Sequence, residues 1–319
     1  MNILIDNLEA FSLFHAALPE STPKIGIYIK IDTGYHRAGI TISSPKFAPL
    51  VEAVVSSHNF QGFYSHFGHS YAGSSEDDAA NGLTAELKVL EQATETLPSS
   101  FTGELVLTVG ATPTTTAAQN LLSSDSARAA EFKTLLSRLK AKYKIELHAG
   151  VYPLLDLQQV ATHARPPTSA SHSSTSFAPL SKDSIGLKML VEVTSIYTER
   201  SKPEALISAG SLALGREPCK SYPGWGIVTA DLGNEGEKVY DERGEKTGWI
   251  VGRVSQEHGI LTWEGDGEGM KGLRIGDRLM VWPNHACVAG AGMGWYLVVD
   301  SEQDGGEKVV DVWVRWRGW

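Results

Sequence analysis

Short apolar, β-branched runs alternate with amphipathic stretches through the first half of the chain. This is the pattern of parallel strands joined by crossover helices. Residues 25–31 (IGIYIKI) are almost continuously apolar and run into the turn Asp32-Thr33-Gly34, so they predict a buried strand with a polar end. Further strands are predicted at 60–64, 105–109 and 145–148, and helices at 44–57, 79–96 and 127–142, where apolar residues recur at spacings of three and four. At least four βα-type repeats therefore follow one another.

The character changes after residues 163–184 (HARPPTSASHSSTSFAPLSKDS), a segment rich in serine, alanine and proline with no periodicity, which predicts a flexible loop. Beyond it, 187–197, 249–255, 259–263, 278–282, 295–299 and 309–316 read as strands separated by glycine, aspartate and asparagine turns. The predicted organisation is an α/β domain over 1–184 and a mainly β domain over 185–319. Residues 205–216 are an exception, because they suit a last strand and turn returning to the first domain.

Composition narrows the function classes. The 319 residues are 42% apolar and 20% charged, which is enough to bury full cores. A net charge of −9, with no basic cluster to offset it, gives no attraction for nucleic acid or anionic lipid. There is no apolar run long enough to span a bilayer, and residues 1–6 lack the basic flank of a signal peptide, so the expectation is a cytoplasmic protein. Two cysteines, Cys219 and Cys287, do not make a disulfide framework.

Candidate chemistry sits just after the predicted strands, in DTGYHRAG, SHFGHSY, VGATPT and HAGVYP. In parallel sheets the carboxyl ends of the strands carry the site, so these loops are expected on one face. Arg37 can hold a phenolate or carboxylate oxygen by paired hydrogen bonds, or it can pair with Asp32 and stiffen the loop. His66 and His69, with Tyr64 and Tyr71, suit a polar pocket lining better than a metal site. The loop 110–116 presents hydroxyls and backbone N–H groups suited to phosphate, and 148–153 is a second loop of that type; each also reads as a capped helix start. Pro283-Asn-His285-Ala-Cys287 follows an apolar strand. If the extended conformation continues, His285 and Cys287 face the same side and offer zinc an imidazole and a thiolate, although such a pair also occurs for structural reasons.

Taken in order, KIDTGYHRAGI, GFYSHFGHSY, TVGATPT, ELHAGVYPLLDLQQ, SAGSLALGREP and VWPNHAC resemble the D-serine dehydratase and D-threonine aldolase group of fold-type III pyridoxal phosphate enzymes, more distantly related to alanine racemase. The resemblance covers nearly the whole chain. It implies a pyridoxal phosphate-binding (β/α) barrel followed by a β domain that brings zinc ligands to the cofactor. On that basis Thr112, Thr114, Gly150 and Val151 would surround the cofactor phosphate, the last two through backbone N–H. Relatives commonly have asparagine where Val151 stands, which removes a side-chain amide and leaves the backbone role. Tyr64 and Tyr71 would contact the pyridoxal ring, Arg37 its phenolic oxygen, and His285 and Cys287 would hold zinc. The implied reaction is conversion of D-serine to pyruvate and ammonia, with the cofactor as electron sink and zinc as Lewis acid on the β-hydroxyl.

The same resemblance places the family's Schiff-base lysine on the first barrel strand, in a stretch like His-Val-Lys-Thr-His-Lys that precedes the part matched here. No such stretch occurs in this sequence, and neither Lys24 nor Lys30 stands in its place. The expectation is an amino-terminally truncated, incomplete barrel that lacks about three strands and turns over little, with a homodimer expected of a full-length form. An aldolase-type lyase is the first alternative, although its ligand pair resembles His-x-Asp. A racemase would need no zinc, and a noncatalytic protein with a pyridoxal phosphate pocket would resemble a barrel without the β domain.

Overall fold

The computed structural model describes residues 1–19, 25–165, 179–232, 234–267, 270, 272–303 and 306–316. They form two compact units, one of Met1–Tyr152 with Thr162–Leu180 and one of Pro153–Ala161 with Ser181–Trp319. Lys24 and most of the loop expected at 163–184 lie outside the described residues.

The first unit runs β1 (Asn2–Ile5), α1 (Leu8–Ala17), β2 (Gly26–Ile31), α2 (Phe47–Ser56), β3 (Phe60–Ser65), α3 (Glu76–Thr94), β4 (Val106–Val109), α4 (Thr112–Ser123), α5 (Ala127–Lys140) and β5 (Lys144–Leu147). The five strands lie side by side in chain order, and every pairing is parallel. This is the parallel α/β arrangement that the alternating pattern predicts, and its architecture is barrel-like, as the resemblance implies.

Alternation along the strands builds the core. Ile27, Ile29 and Ile31 of β2, Phe63 of β3, and Leu107 and Val109 of β4 are fully buried against helix residues such as Leu50, Val54, Leu83, Leu87 and Leu135. Each such side chain contributes about 2 kcal/mol by leaving water. The helices begin where capping chemistry allows. Ser75 accepts the Asp78 N–H ahead of α3, whose first turn carries Glu76, Asp77 and Asp78, and Ser126 accepts the Ala129 N–H ahead of α5. The opposite sheet face is polar, because the residues paired across it are Lys30, Tyr64, Thr108 and Glu146.

The second unit contains α6 (Leu157–Thr162), which straddles its boundary, then β6 (Met189–Tyr197), β7 (Glu204–Ile207), α7 (Ser211–Leu214), β8 (Gly226–Val228), β9 (Gly248–Val254), β10 (Gly259–Glu264), β11 (Arg278–Pro283), α8 (Ala286–Ala291), β12 (Trp295–Val299) and β13 (Val309–Val314). Six strands close into an antiparallel barrel in the order β10-β7-β6-β11-β8-β9, and β12 and β13 form a separate pair. The segment 205–216 does not return to the first unit. β7 pairs with both β6 and β10, and Ala205 and Ile207 are buried inside this barrel, while Glu204 accepts from Arg253 at 2.8 Å and is also held by Arg200. Among the described residues no helix is long and apolar enough to cross a membrane.

Candidate active site

The polar face of the parallel sheet ends in a stack of rings and hydrogen bonds. Lys30 pairs in register with Tyr64, Tyr64 with Thr108, and Thr108 with Glu146, so strand pairing alone sets these side chains in one row. The His148 ring, just beyond β5, stacks on Tyr64 at 4.3 Å between centroids, and His66 lies 6.0 Å from His148 at 19°. The Lys30 amine stands 5.6 Å over the Tyr64 ring.

The protonation of His148 follows from its neighbours. Thr108 Oγ1 donates to Glu146 Oε1 at 3.0 Å and lies 3.0 Å from His148 Nδ1. A hydroxyl has one proton, so with that proton on the carboxylate it accepts from a protonated Nδ1. His148 Nε2 is then the bare nitrogen, and it is buried without a close partner. Burial, followed by the charge of His66, pushes the His148 pKa down to about 4, which keeps the ring neutral. Burial and then Arg37 lower His66 as well, and burial raises the Tyr64 hydroxyl.

The loop after β2 is fixed by Asp32, whose Oδ1 accepts from the Gly34 and His36 N–H groups at 2.9 and 3.1 Å and whose Oδ2 meets His36 Nδ1 at 2.8 Å. The Asp32–Arg37 pair that the sequence allows is therefore replaced by Asp32–His36. The Arg37 guanidinium sits 5.0 Å from the Tyr35 ring and acts electrostatically on Lys30, Tyr64 and His66. Tyr71 lies on a short 3-10 turn, Gly68–Ala72, and is half-buried.

The two phosphate-type loops meet. Thr112 opens α4, and its Oγ1 accepts the Val151 backbone N–H at 3.2 Å. Thr114 Oγ1 accepts from Ala111 N at 2.9 Å and donates to the Ala111 carbonyl at 3.1 Å, closing the first turn from inside. Gly150 is exposed, whereas Val151 is buried. Gly110 makes this approach possible. It adopts φ +141°, and a Cβ there would collide with the His148 carbonyl. An anion-ready helix start, an orphaned imidazole nitrogen and a row of aromatic and cationic side chains fit a phosphorylated aromatic cofactor.

In the second unit the geometry of the proposed metal pair differs from the extended stretch that the sequence suggests. β11 ends at Pro283, His285 caps α8, and Cys287 lies in its first turn, so strand alternation does not relate the two side chains. The chain turns because buried Asn284 accepts from the Tyr222 hydroxyl at 2.6 Å and donates to the Glu217 and Gly224 carbonyls at 2.9 Å. Buried Asp156 accepts the N–H of Ala286, between His285 and Cys287, at 2.9 Å and that of Gln159 at 2.8 Å. His285 is half-buried and Cys287 exposed. An imidazole and a thiol suit zinc in softness, but among the described residues no group of three or more metal-binding side chains forms.

Thr108, Glu146 and His148 form a connected set that the loop motifs alone do not mark. Their signal was alternation: 108, 146 and 148 fall on the same face once the strands are in register.

The family described as "Putative serine dehydratase domain" matches residues 186–299, and the alanine racemase amino-terminal domain matches residues 1–129. The chain is 34% identical to a D-serine dehydratase of Saccharomyces cerevisiae over 99% of its own length and 68% of that protein. It is 31% identical to one of Schizosaccharomyces pombe over 100% and 68%. Its fold matches the crystal structure of an alanine racemase-like protein from Idiomarina loihiensis with a TM-score of 0.72 at 23% identity, covering 100% of this chain and 72% of that one. The chain belongs to the D-serine dehydratase family.

Proposed function

We propose that this chain carries the site of a pyridoxal phosphate- and zinc-dependent lyase that converts D-serine into pyruvate and ammonia. The observation that carries the reading is the meeting of Thr112 and Val151 at neighbouring strand ends, 3.2 Å apart, beside the Tyr64–His148 stack in a member of this family.

Thr112, Thr114, Gly150 and Val151 would hold the phosphate, with Thr114 acting through the turn it closes, because its hydroxyl is already engaged by Ala111. Tyr64 and Tyr71 would contact the ring, and Arg37 would meet its phenolic oxygen. His285 and Cys287 would hold zinc. Bound pyridoxal phosphate supplies an electron sink for the charge left when the α-proton departs. Bound zinc supplies a Lewis acid for the leaving β-hydroxyl. The chain's own contribution is placement. Neutral His148 offers an acceptor without adding charge, the Arg37 cation favours an anionic oxygen, and Thr108 and Val151 are themselves shielded from water. Cys287, rather than a carboxylate, supports dehydration over aldol cleavage.

Lys30 is not assigned as the Schiff-base residue. The test is to express these 319 residues alone and behind a segment bearing the family's lysine stretch, with pyridoxal phosphate and zinc. Alone, the chain shows no absorbance band of a cofactor-linked lysine and releases no pyruvate from D-serine. With the lysine supplied, pyruvate appears, is lost on chelation and returns with zinc. Pyruvate formation that survives chelation, or none in the lysine-bearing protein, contradicts the proposal.

A further inference from the structure

Glu86 has no part in the chemistry above, yet its carboxyl lies beneath the strand ends that build the pocket. It is on α3 and completely shielded from solvent. One turn earlier, Gly82 lets the helix approach closely, since a Cβ there would meet the Phe67 ring at 2.8 Å and Thr114 Cγ2 at 3.1 Å. Ser65 Oγ donates to Glu86 Oε1 at 2.8 Å, and the Gly110 N–H reaches the same oxygen at 3.4 Å. Ser65 Oγ also lies 2.8 Å from Thr33 Oγ1. Oε2 is buried without a close partner, while the Phe67 N–H and the Thr114 hydroxyl act on the carboxyl more weakly. One side chain thus ties the ends of β2, β3 and β4 to the first turn of α4. A buried carboxyl is costly to keep. A packed leucine would fill the same stripe of α3, alongside Leu83, Leu87 and Leu90, at no such cost.

We propose that Glu86 is a positioning residue that fixes the Gly110–Thr114 turn for recognition of a phosphate group. The inference rests on the reading that this turn holds pyridoxal phosphate. Glu86 touches no ligand; it acts by holding the Gly110 N–H and the Ser65 hydroxyl so that Thr112 and the start of α4 stand in one arrangement. A merely stabilising carboxyl would leave the preference for a phosphorylated ligand unchanged.

The full 319-residue chain is titrated by calorimetry with pyridoxal phosphate and with pyridoxal, as wild type, Glu86→Gln and Glu86→Leu. Loss of the buried hydrogen bonds in Glu86→Leu weakens pyridoxal phosphate by about tenfold or more and changes pyridoxal by less than about twofold. Glu86→Gln, which keeps an acceptor, stays within about threefold of wild type. Equal weakening of both ligands, or of neither, overturns the proposal. If Glu86→Leu does not fold, Ser65→Ala takes its place, with the same selective loss expected and the same results overturning it. If the wild-type chain alone binds no pyridoxal phosphate, the proposed function still stands or falls on pyruvate formation by the lysine-bearing protein, and amide hydrogen exchange decides the role of Glu86. Lost protection confined to 110–116 in Glu86→Leu and retained in Glu86→Gln supports it. Unchanged protection, or loss spread over the whole unit, overturns it.

Discussion

The Tyr64 ring stacks on the His148 imidazole at 4.3 Å with 8° between their planes, and Thr108 Oγ1 lies 3.0 Å from its Nδ1. The histidine is kept neutral because its folded pKa, about 4, is below its ordinary value of 6.5. The unfolded chain therefore binds more protons between these values, and the stability that His148 supports is present above pH 6.5 and lost as pH falls toward 4. Relative to wild type, His148→Gln should gain about 3 kcal/mol on going from pH 7 to pH 4. Urea unfolding of both proteins at the two pH values measures this.

Glu86 has the opposite sign. Its folded pKa is raised from 4.5 to about 7, first by burial, so its contribution is fully present below pH 4.5 and is lost as pH rises through 7. Glu86→Gln should therefore become more stable relative to wild type by about 3 kcal/mol between pH 4.5 and pH 8. Parallel thermal unfolding across that range checks it, and a difference that does not vary with pH would show that the carboxyl is not held in this state.

Gly110→Ala should lower stability by about 2 kcal/mol or more, because φ +141° disfavours any side chain and the added Cβ collides with the His148 carbonyl. Since that collision separates the loops after β4 and β5, pyridoxal phosphate affinity should fall with it. Calorimetric unfolding and ligand titration on the same sample test both effects.

Asp156 secures the turn bearing His285 and Cys287 by accepting the N–H between them. Asp156→Ala should cost about 3 kcal/mol, since two backbone donors lose a buried carboxyl acceptor, and Asp156→Asn should cost less. With cobalt substituted for zinc, the thiolate charge-transfer band should vanish in Cys287→Ser and weaken in Asp156→Ala. Absorption spectra under a cobalt titration give the answer.

Much of the first unit is legible from periodicity. The nearly continuous apolar run at 25–31 yields β2 (Gly26–Ile31), with Ile27, Ile29 and Ile31 in the core, and α3 follows from its stripe of 79, 83, 87 and 90. The helical start at Thr112 remained open as a loop because Thr-Pro-Thr-Thr-Thr has weak helix propensity, and the capping contacts of Thr114 with Ala111 decide it. Glu86 falls on the apolar stripe at the same spacing, a visible signal; its partners Ser65 and Gly110 come from other elements, so only the fold reveals its role. Cys287 departs from the extended expectation because Pro-Asn-His gives no local sign of helix, and the turn depends on Asp156, distant in sequence. The 205–216 segment was ambiguous for a related reason: strand pairing partners, which assign β7 to the antiparallel barrel, are not a local property.

The most direct test of the account is product analysis by proton NMR. The lysine-supplied, zinc-loaded protein is offered D-serine, D-threonine and D-alanine in turn. The expected products are 2-oxo acid and ammonia from D-serine, with no glycine from D-threonine and no L-alanine from D-alanine. Glycine with acetaldehyde, or racemised alanine without pyruvate from D-serine, would contradict it.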